Sequence, residues 1–172
     1  MKCIIAFSVI LPLLGGMLFT KSSGSNKKPE GAAVSYEYRY SATMAYPLAF
    51  YQVKRDSSGA LCIAWLKDCE RYVKVIKCTD DVLEQIRAFA AKYKLHRIKE
   101  SYYPSMQVLD GNSWHMRIGF EKGSIYSGGN NAKAPQKLMD GIDCINAYLQ
   151  SIIDASSEAD IIFRQDFLEY KW

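Results

Sequence analysis

Alternating apolar and polar residues predict a run of β-strands in the first half of the chain. From residue 34 to 41, a valine and three tyrosines occupy every second position, which is the period of a half-buried strand. The tyrosines are expected to face the core, so Glu37 and Arg39 are expected on the opposite, polar face. Three further runs with strand composition follow, over residues 48–53, 60–66 and 72–77.

Two segments instead repeat apolar residues at the spacing of an amphipathic helix. The first follows Thr79, which can cap its start, and the second covers residues 138–153 after Pro135. The predicted apolar faces are Val82, Leu83, Ile86, Phe89, Ala90 and Tyr93 in the first helix, and Leu138, Ile142, Ile145, Leu149 and Ile152 in the second.

Between the predicted helices, turn residues separate three short strand-like runs. In the middle run, Trp114 and Met116 are expected to face the core, and His115 and Arg117 to face away from it. The apolar tail from residue 159 to 172 is expected to pack back onto the domain as a short helix or an extended segment. The three runs cover residues 106–109, 114–120 and 124–127.

Runs of strands separated by two helices predict the α+β class. We expect a single globular domain over residues 33–172, in which two main helices pack on one face of an antiparallel sheet. The composition, 49% hydrophobic and 13% aromatic, is typical of a packed domain and excludes a disordered chain. A domain of about 140 residues buries enough surface to fold without a structural metal.

The first twenty residues have the layout of an export signal. Lys2 precedes an apolar run from residue 4 to 14, which glycines and a polar segment follow. We therefore predict a signal peptide over residues 1–20 and a polar linker over residues 21–32, and a protein that is periplasmic, at the cell surface or secreted. The alternative is a retained membrane anchor over residues 3–20, whose length is close to that of a spanning helix.

The net charge of +4 gives no electrostatic reason to expect nucleic-acid binding. Four lysines lie in the predicted signal and linker, so the domain itself is close to neutral. Contact with a membrane is expected only through the N-terminal segment, if that segment is uncleaved. The sequence contains no nucleotide or catalytic fingerprint, so no cofactor is predicted. The four lysines are Lys2, Lys21, Lys27 and Lys28.

Four cysteines follow the predicted signal, and this even number favours disulfide bonds in an oxidising compartment. The candidates are Cys62, Cys69, Cys78 and Cys144, and the sequence leaves their three possible connectivities open. They contain no C-x-x-C pair and have no histidine close by, so no metal site is predicted. Cys144 lies off the apolar stripe of its helix, so it either contacts a neighbouring element or is a partly exposed thiol.

His115 is the strongest candidate for chemistry, because Arg117 shares the polar side of its strand. If this strand lies beside the strand of Glu37 and Arg39, the four side chains form a mixed-charge patch. Such a patch can bind a ligand or transfer a proton. The competing interpretation is a solvated sheet face, which antiparallel sheets commonly have.

Two segments predicted as loops supply weaker candidates. Tyr102 and Tyr103 precede a proline, and aromatic residues in loops often serve recognition, although hinge packing is the competing role. The glycine-rich segment before the second helix can present backbone N–H groups and a charge to an anion. Its glycines are equally explained by a loop that needs positive φ angles. The candidate anion-binding residues are Gly128, Gly129, Asn130 and Lys133.

Residues 114–135 contain a distinctive series: Trp114, Ile118, Phe120, Gly123, Ser127, Gly129, Asn130 and Pro135. This series, which covers about an eighth of the chain, resembles a pattern in a family of small exported or envelope-associated bacterial α+β domains. The resemblance implies a bacterial envelope protein with an α+β fold, and it implies no activity. The chain lacks the attachment cysteine of the lipid-anchored members.

These features together predict an exported envelope protein that acts as a non-catalytic binding or interaction domain. Its partner is expected to be a protein or a small ligand, held on the polar sheet face or by the loop aromatics. The alternative is a small exported enzyme that uses the polar sheet face around His115 and Arg117.

Overall fold

The computed structural model of the chain describes residues 21–23, 26–42, 46–106 and 111–170. The predicted signal peptide, residues 1–20, lies outside the described residues. Two α-helices, α1 (Asp81–Lys92) and α2 (Gln136–Ala155), and nine strands are found within these ranges. The strands are β1 (Lys21–Ser23), β2 (Glu30–Ser41), β3 (Ala49–Arg55), β4 (Leu61–Lys67), β5 (Tyr72–Lys77), β6 (Ser101–Tyr103), β7 (Ser113–Lys122), β8 (Ser124–Asn130) and β9 (Ile161–Asp166).

The nine strands of the described chain form one sheet in the order β1-β6-β8-β7-β2-β3-β4-β5-β9. Each strand is antiparallel to its neighbours in the described registers, except that β6 and β8 are parallel. The structure confirms a single domain that combines a mostly antiparallel sheet with two helices. Because β2 lies between β7 and β3, the strand of Glu37 is the direct neighbour of the strand of His115.

The larger hydrophobic core lies on one side of the central strands. Alternate residues of β2, β4 and β7 point into it, among them Tyr36, Ile63 and Met116, which are almost completely buried. The helices contribute to the same cluster, for example through Ile86 of α1 and Ile142 of α2. Burial of each such side chain stabilises the fold by about 1.5–3 kcal/mol, so this core is the main source of stability.

A smaller core lies on the other side of β3, β4 and β5, which we call the outer face of the sheet. It is covered by Phe167 and Tyr170, whose rings meet Phe50 edge-on with centroid distances of 5.5 and 5.9 Å. Because β9 also pairs with β5, the described part of the tail packs back as predicted, and of the two predicted forms it adopts the extended one. The members of the smaller core are Phe50, Cys62, Ala64, Leu66, Val73 and Val75.

Both helices carry the predicted apolar faces, but their first residues differ from the prediction. The N-cap residue of α1 is Asp80, not Thr79, and it makes no side-chain capping bond. Pro135 is the N-cap residue of α2 and precedes its first turn. Neither described helix combines the length and apolar character that a membrane span requires. The buried faces include Val82, Leu83, Ile86 and Ala90 in α1, and Ile142, Ile145 and Leu149 in α2.

Part of the segment predicted as a linker belongs to the sheet. Strand β1 pairs with β6, and β2 already begins at Glu30. Between them, the side-chain amide of Asn26 donates to the carbonyl oxygens of Ile98 and Tyr126 and accepts from the N–H of Tyr126, each over 2.8 Å. This polar segment is held by hydrogen bonds to backbone groups that are distant in sequence. The pattern of hydrophobic residues does not predict such bonds.

The strand predicted over 106–109 is not found at its first residue. Met106 is exposed and lies outside the strands, and residues 107–110 lie outside the described residues. Strand β6 forms a few residues earlier, where a loop was predicted. Its residues pair with β1 on one side and β8 on the other, so this strand depends on segments far away in the chain.

The structure records Cys62, Cys69, Cys78 and Cys144 as thiols and does not support the predicted disulfide. Cys62 belongs to the smaller core, whereas Cys78, just after β5, packs against the larger one. Their side chains therefore lie on opposite sides of the sheet. Cys144 contacts a neighbouring element, because its Sγ is 3.1 Å from the hydroxyl oxygen of Tyr93 at the end of α1.

Candidate functional site

The polar residues of β2 and β7 lie beside one another on the outer face. The register of these strands pairs Arg39 with His115 and Glu37 with Arg117. His115 reaches diagonally to Glu37, and its Nε2 is 3.2 Å from Oε1 of that carboxylate. The side chains of His115 and Glu37 are 35% and 39% exposed, so both are accessible from solvent. The charged side chains of the two strands are therefore adjacent, as a mixed-charge patch requires.

Glu37 is the centre of a hydrogen-bonded chain that runs across the outer face. Gln52 Nε2 donates to Oε2 of Glu37 over 3.0 Å, and the hydroxyl of Tyr170 donates to Oε1 of Gln52 over 3.1 Å. The chain joins β7, β2, β3 and the C-terminal segment. Side chains that are already held lose less conformational freedom when a ligand binds, so His115 and Glu37 form a preorganised pair.

These contacts change the pKa values of the side chains that they connect. The hydrogen bond from His115 lowers the pKa of Glu37, partial burial opposes this, and the hydrogen bond from Gln52 adds to it. Burial raises the pKa of the Tyr170 hydroxyl. Glu37 is therefore a carboxylate at neutral pH and accepts from both of its neighbours.

The two arginines of the predicted patch are placed differently. Arg39 Nε donates to Oγ of Ser41 over 3.0 Å, and its guanidinium lies over the ring of Phe167, 4.9 Å from the centroid. Arg39 therefore contributes to holding the C-terminal segment against the sheet. Arg117 is exposed and is paired in register with Tyr126 of β8.

A cleft of about 400 Å³ opens beside His115, among residues of β6, β7 and β8. This volume is typical of a small-molecule site. The cleft unites three candidates that are far apart in the sequence: His115, the Tyr102–Tyr103 pair and the glycine-rich segment. Its lining consists of Glu100, Ser101, Tyr102, Tyr103, Ser113, Trp114, His115, Tyr126, Gly128, Gly129 and Asn130.

The remaining candidates are not part of this lining. Glu37 contacts the cleft through His115, whereas Arg39, Arg117 and Lys133 do not line it. The structure therefore separates the predicted patch into a polar pair at the cleft and arginines beside it.

Gly128 forms the floor of the cleft. The sheet register places it directly between His115 of β7 and Ser101 of β6. A Cβ atom at this position would lie 3.1 Å from the carbonyl oxygen of Trp114 and 3.5 Å from Cβ of His115. The absence of a side chain here leaves the space between the flanking strands open to a ligand.

Two exposed tyrosines flank this floor. Tyr103 is 51% exposed and Tyr126 is 47% exposed. No functional role for Tyr126 was predicted from the sequence. Its position one residue from the apolar, buried Ile125 on a strand does, however, indicate that its side chain points outward. Together the two rings give an otherwise polar cleft an apolar surface.

Tyr102 lies in strand β6 and not in the predicted loop, and its side chain packs into the larger core. It is only 4% exposed, and its ring stacks on Trp114 with centroids 6.2 Å apart. Its hydroxyl oxygen accepts from the backbone N–H of Lys99 over 3.1 Å. Because alternate strand residues point to opposite sides, Tyr102 is buried and Tyr103 is exposed.

The glycine-rich segment that was predicted to be a loop is strand over Gly128, Gly129 and Asn130. The N–H of Gly128 is already donated to the carbonyl oxygen of Glu100 over 3.0 Å. A Cβ atom at Gly129 would lie 2.2 Å from the carbonyl oxygen of Ala132 and 2.4 Å from Nε1 of Trp114. Close packing therefore requires Gly129, and the described glycines with positive φ lie elsewhere in the chain.

Two other cavities offer less to a ligand. One of about 560 Å³ lies near the start of α1, where Arg55 and Asp80 form an ion pair of 2.8 Å. Another of about 220 Å³ lies between β9 and the smaller core. Asp56 borders that cavity, but its carboxylate accepts from the N–H groups of Ser58 and Ala60 in its own turn.

The chemistry available at the cleft is that of a histidine–carboxylate pair. Such a pair can orient a hydrogen-bonding group of a ligand or exchange a proton with it. Across the part of the chain that the structure describes, no group of three or more His, Cys, Asp or Glu side chains is placed to hold a metal ion.

Comparison of the chain with protein-family models, with curated proteins and with solved structures gives no match. The resemblance to exported bacterial domains thus stays a prediction.

Proposed function

We propose that this protein is a binding domain and that its ligand occupies the cleft beside His115. One observation carries the proposal: two half-exposed tyrosines, Tyr103 and Tyr126, flank a glycine floor next to the His115–Glu37 pair. Aromatic rings supply contact area at little cost in conformational entropy, and the polar pair supplies orientation. A concave site of this size favours a small ligand over a protein partner.

The second candidate is a small enzyme. It is favoured by one observation, the 3.2 Å contact between His115 and Glu37, which is the arrangement of an acid–base pair. The binding function is preferred because the cleft adds two exposed aromatic rings to this pair, and such rings supply contact area for a ligand rather than proton transfer.

We further infer that both helices cover the face of the sheet opposite the cleft. The larger core supports this inference, since it contains residues of α1, of α2 and of one side of β2, β4 and β7. The outer face is then left for function on β2, β7 and β8, with the C-terminal segment covering β3 to β5.

We also propose that the protein is exported. The support is the basic residue and the apolar run within residues 1–20, together with the polar segment that begins at Lys21. Periplasmic, cell-surface and secreted locations are all compatible with this segment, as is a retained anchor.

The binding proposal is tested by screening the purified protein against a mixed library of small molecules with ¹H–¹⁵N NMR. The library contains peptides, nucleosides, saccharides and aromatic acids. We expect at least one class to shift the amide signals of residues around Gly128, and we expect His115→Ala to weaken that binding.

The matched control is Tyr72→Ala. Tyr72 is a strand tyrosine that is 49% exposed, but it lies on β5, away from the cleft. The proposal fails if no compound shifts cleft amides, or if Tyr72→Ala weakens binding as much as His115→Ala. Chemical conversion of a bound compound, lost in His115→Ala, would favour the enzyme instead.

A further inference from the structure

We propose that the ligand of the cleft is a neutral oligosaccharide. This inference rests on the proposed binding function and adds the chemical class of the ligand. It follows from the charge, the hydrogen-bonding groups and the ring spacing of the cleft.

The charge of the lining disfavours an anion. Glu100 contributes a carboxylate, and the one basic group in the described lining is His115, whose imidazole already faces Glu37. The nearest arginines do not line the cleft. An anionic ligand would therefore meet the carboxylate of Glu100 in a lining whose described residues include no lysine or arginine to balance it.

The hydrogen-bonding groups of the lining favour a ligand that carries hydroxyl groups. Ser101, Ser113 and Asn130 line the cleft together with His115, so the lining contains both donors and acceptors. A ligand rich in hydroxyl groups can exchange its bonds to water for bonds to these side chains. An apolar ligand would displace water from this polar lining without offering hydrogen bonds in its place, which is costly.

The tyrosines provide flat apolar contacts at the two ends of the cleft. The register pairs Ser101 with Gly128, and its continuation places Tyr103 beside Asn130. Tyr126 lies four residues before Asn130 on β8, so the backbone positions of the two tyrosines are separated by about 13 Å along the strand direction. Gly128 lies midway, where the lack of a side chain leaves room for a linked ligand.

A saccharide of two or three units matches all three features. Its sugar rings present C–H groups on their faces, which pack on aromatic rings, while hydroxyl groups at their edges form hydrogen bonds. It carries no charge. Its length is comparable to the spacing of the tyrosines, and it fits a volume of about 400 Å³.

The test is a ¹H–¹⁵N NMR titration of the purified protein with di- and trisaccharides of glucose, mannose, galactose and N-acetylglucosamine. Adenosine and a tyrosine-containing tripeptide are titrated in parallel as probes of other chemistry. We expect at least one saccharide to shift cleft amides with a Kd of about 1 mM or tighter.

The variants Tyr103→Ala and Tyr126→Ala should each weaken saccharide binding about five- to tenfold, because each removes one stacking surface. The variant Tyr72→Ala should bind like the wild type. Circular dichroism checks that all three remain folded, which their exposed positions favour.

The outcomes separate this inference from the proposed function. If adenosine or the peptide shifts cleft amides and no saccharide does so at about 10 mM, the saccharide inference is wrong and the binding function stands. If no probe shifts a cleft amide, both fail. Saccharide binding that survives both tyrosine substitutions would also overturn the inference.

Discussion

His115 on β7 and Glu37 on β2 are 78 residues apart in the chain, and their side chains meet with Nε2 3.2 Å from Oε1. The contact exists because two antiparallel strands place their polar residues on the same side of the sheet. It connects the cleft to the chain of hydrogen bonds that continues through Gln52 to Tyr170.

The pKa of Glu37 should depend on its neighbours in a defined order. We expect His115→Ala to raise it toward its ordinary value of 4.5, Gln52→Ala to raise it less, and Lys54→Ala to raise it least, since these are the successive sources of the lowering. The measurement is a pH titration of the Glu37 carboxyl carbon by NMR. An equal effect of Lys54→Ala and His115→Ala would contradict the prediction.

Protein stability should respond to the same contact. Because the pKa of Glu37 is lowered in the folded state, its contribution is fully present above the ordinary carboxyl pKa and is lost as the pH falls through the folded-state value. The difference in free energy of unfolding between the wild type and His115→Ala should therefore shrink on acidification. Urea denaturation at a series of pH values measures it, and a difference that grows toward low pH would refute the assignment.

Gly129 should tolerate substitution worse than Gly128. Alanine at Gly129 places its Cβ within 2.4 Å of both the Ala132 carbonyl oxygen and Nε1 of Trp114, whereas the closest atom at Gly128 is 3.1 Å away. We expect Gly129→Ala to cost about 1–3 kcal/mol and Gly128→Ala to cost less. Urea denaturation of both variants is the check, and equal losses would show that close packing is not the reason for Gly129.

Phe167 should stabilise the C-terminal segment. Its ring packs edge-on against Phe50 and under the guanidinium of Arg39. We expect Phe167→Ala to destabilise the fold by about 1–3 kcal/mol and to speed proteolysis of the segment after β9. Leu168→Ala is the matched control, because Leu168 is 64% exposed and should change stability by at most about 0.5 kcal/mol. Similar losses in the two variants would show that the segment is not held through Phe167.

The cysteines of the described chain should react as thiols. Intact mass after alkylation under denaturing conditions should show modification of Cys62, Cys69, Cys78 and Cys144 without prior reduction. In the folded protein Cys78 should react slowly, because burial raises its pKa to about 12 and little thiolate is present. A requirement for reductant before any of the four cysteines is labelled would instead establish a disulfide, as the cysteine count predicted.

Much of the fold could be predicted because it depends on near neighbours in the chain. The strand from Ala49 to Arg55, the strand from Tyr72 to Lys77 and both helices lie close to their predicted positions. Their signals are the two-residue and 3.6-residue periods, which arise where one side of an element is buried. Turn residues near Asp56 and Gly123 also lie where they were predicted.

The errors share one cause, which is dependence on distant segments. β1 and β6 are too short to show a period. β1 forms because it pairs with β6, and β6 forms because it pairs with β1 and β8. The sequence places Gly129 in a loop between a strand and a helix because it does not show that Trp114 packs against this glycine. No role was predicted for Tyr126 because the cleft that it lines is formed together with residues of β6 and β7.

The sequence by itself determined the α+β class, most strand and helix positions, and the separation of His115 and Glu37 from the apolar residues of their strands. These properties follow from alternation along each element. Only the tertiary structure decided strand order, the pairing of β7 with β2, and the meeting of Tyr103, Tyr126, Gly128 and His115 at one cleft. The physical reason is that strand pairing and close packing are formed between residues distant in sequence, and no local pattern specifies which distant residues will meet.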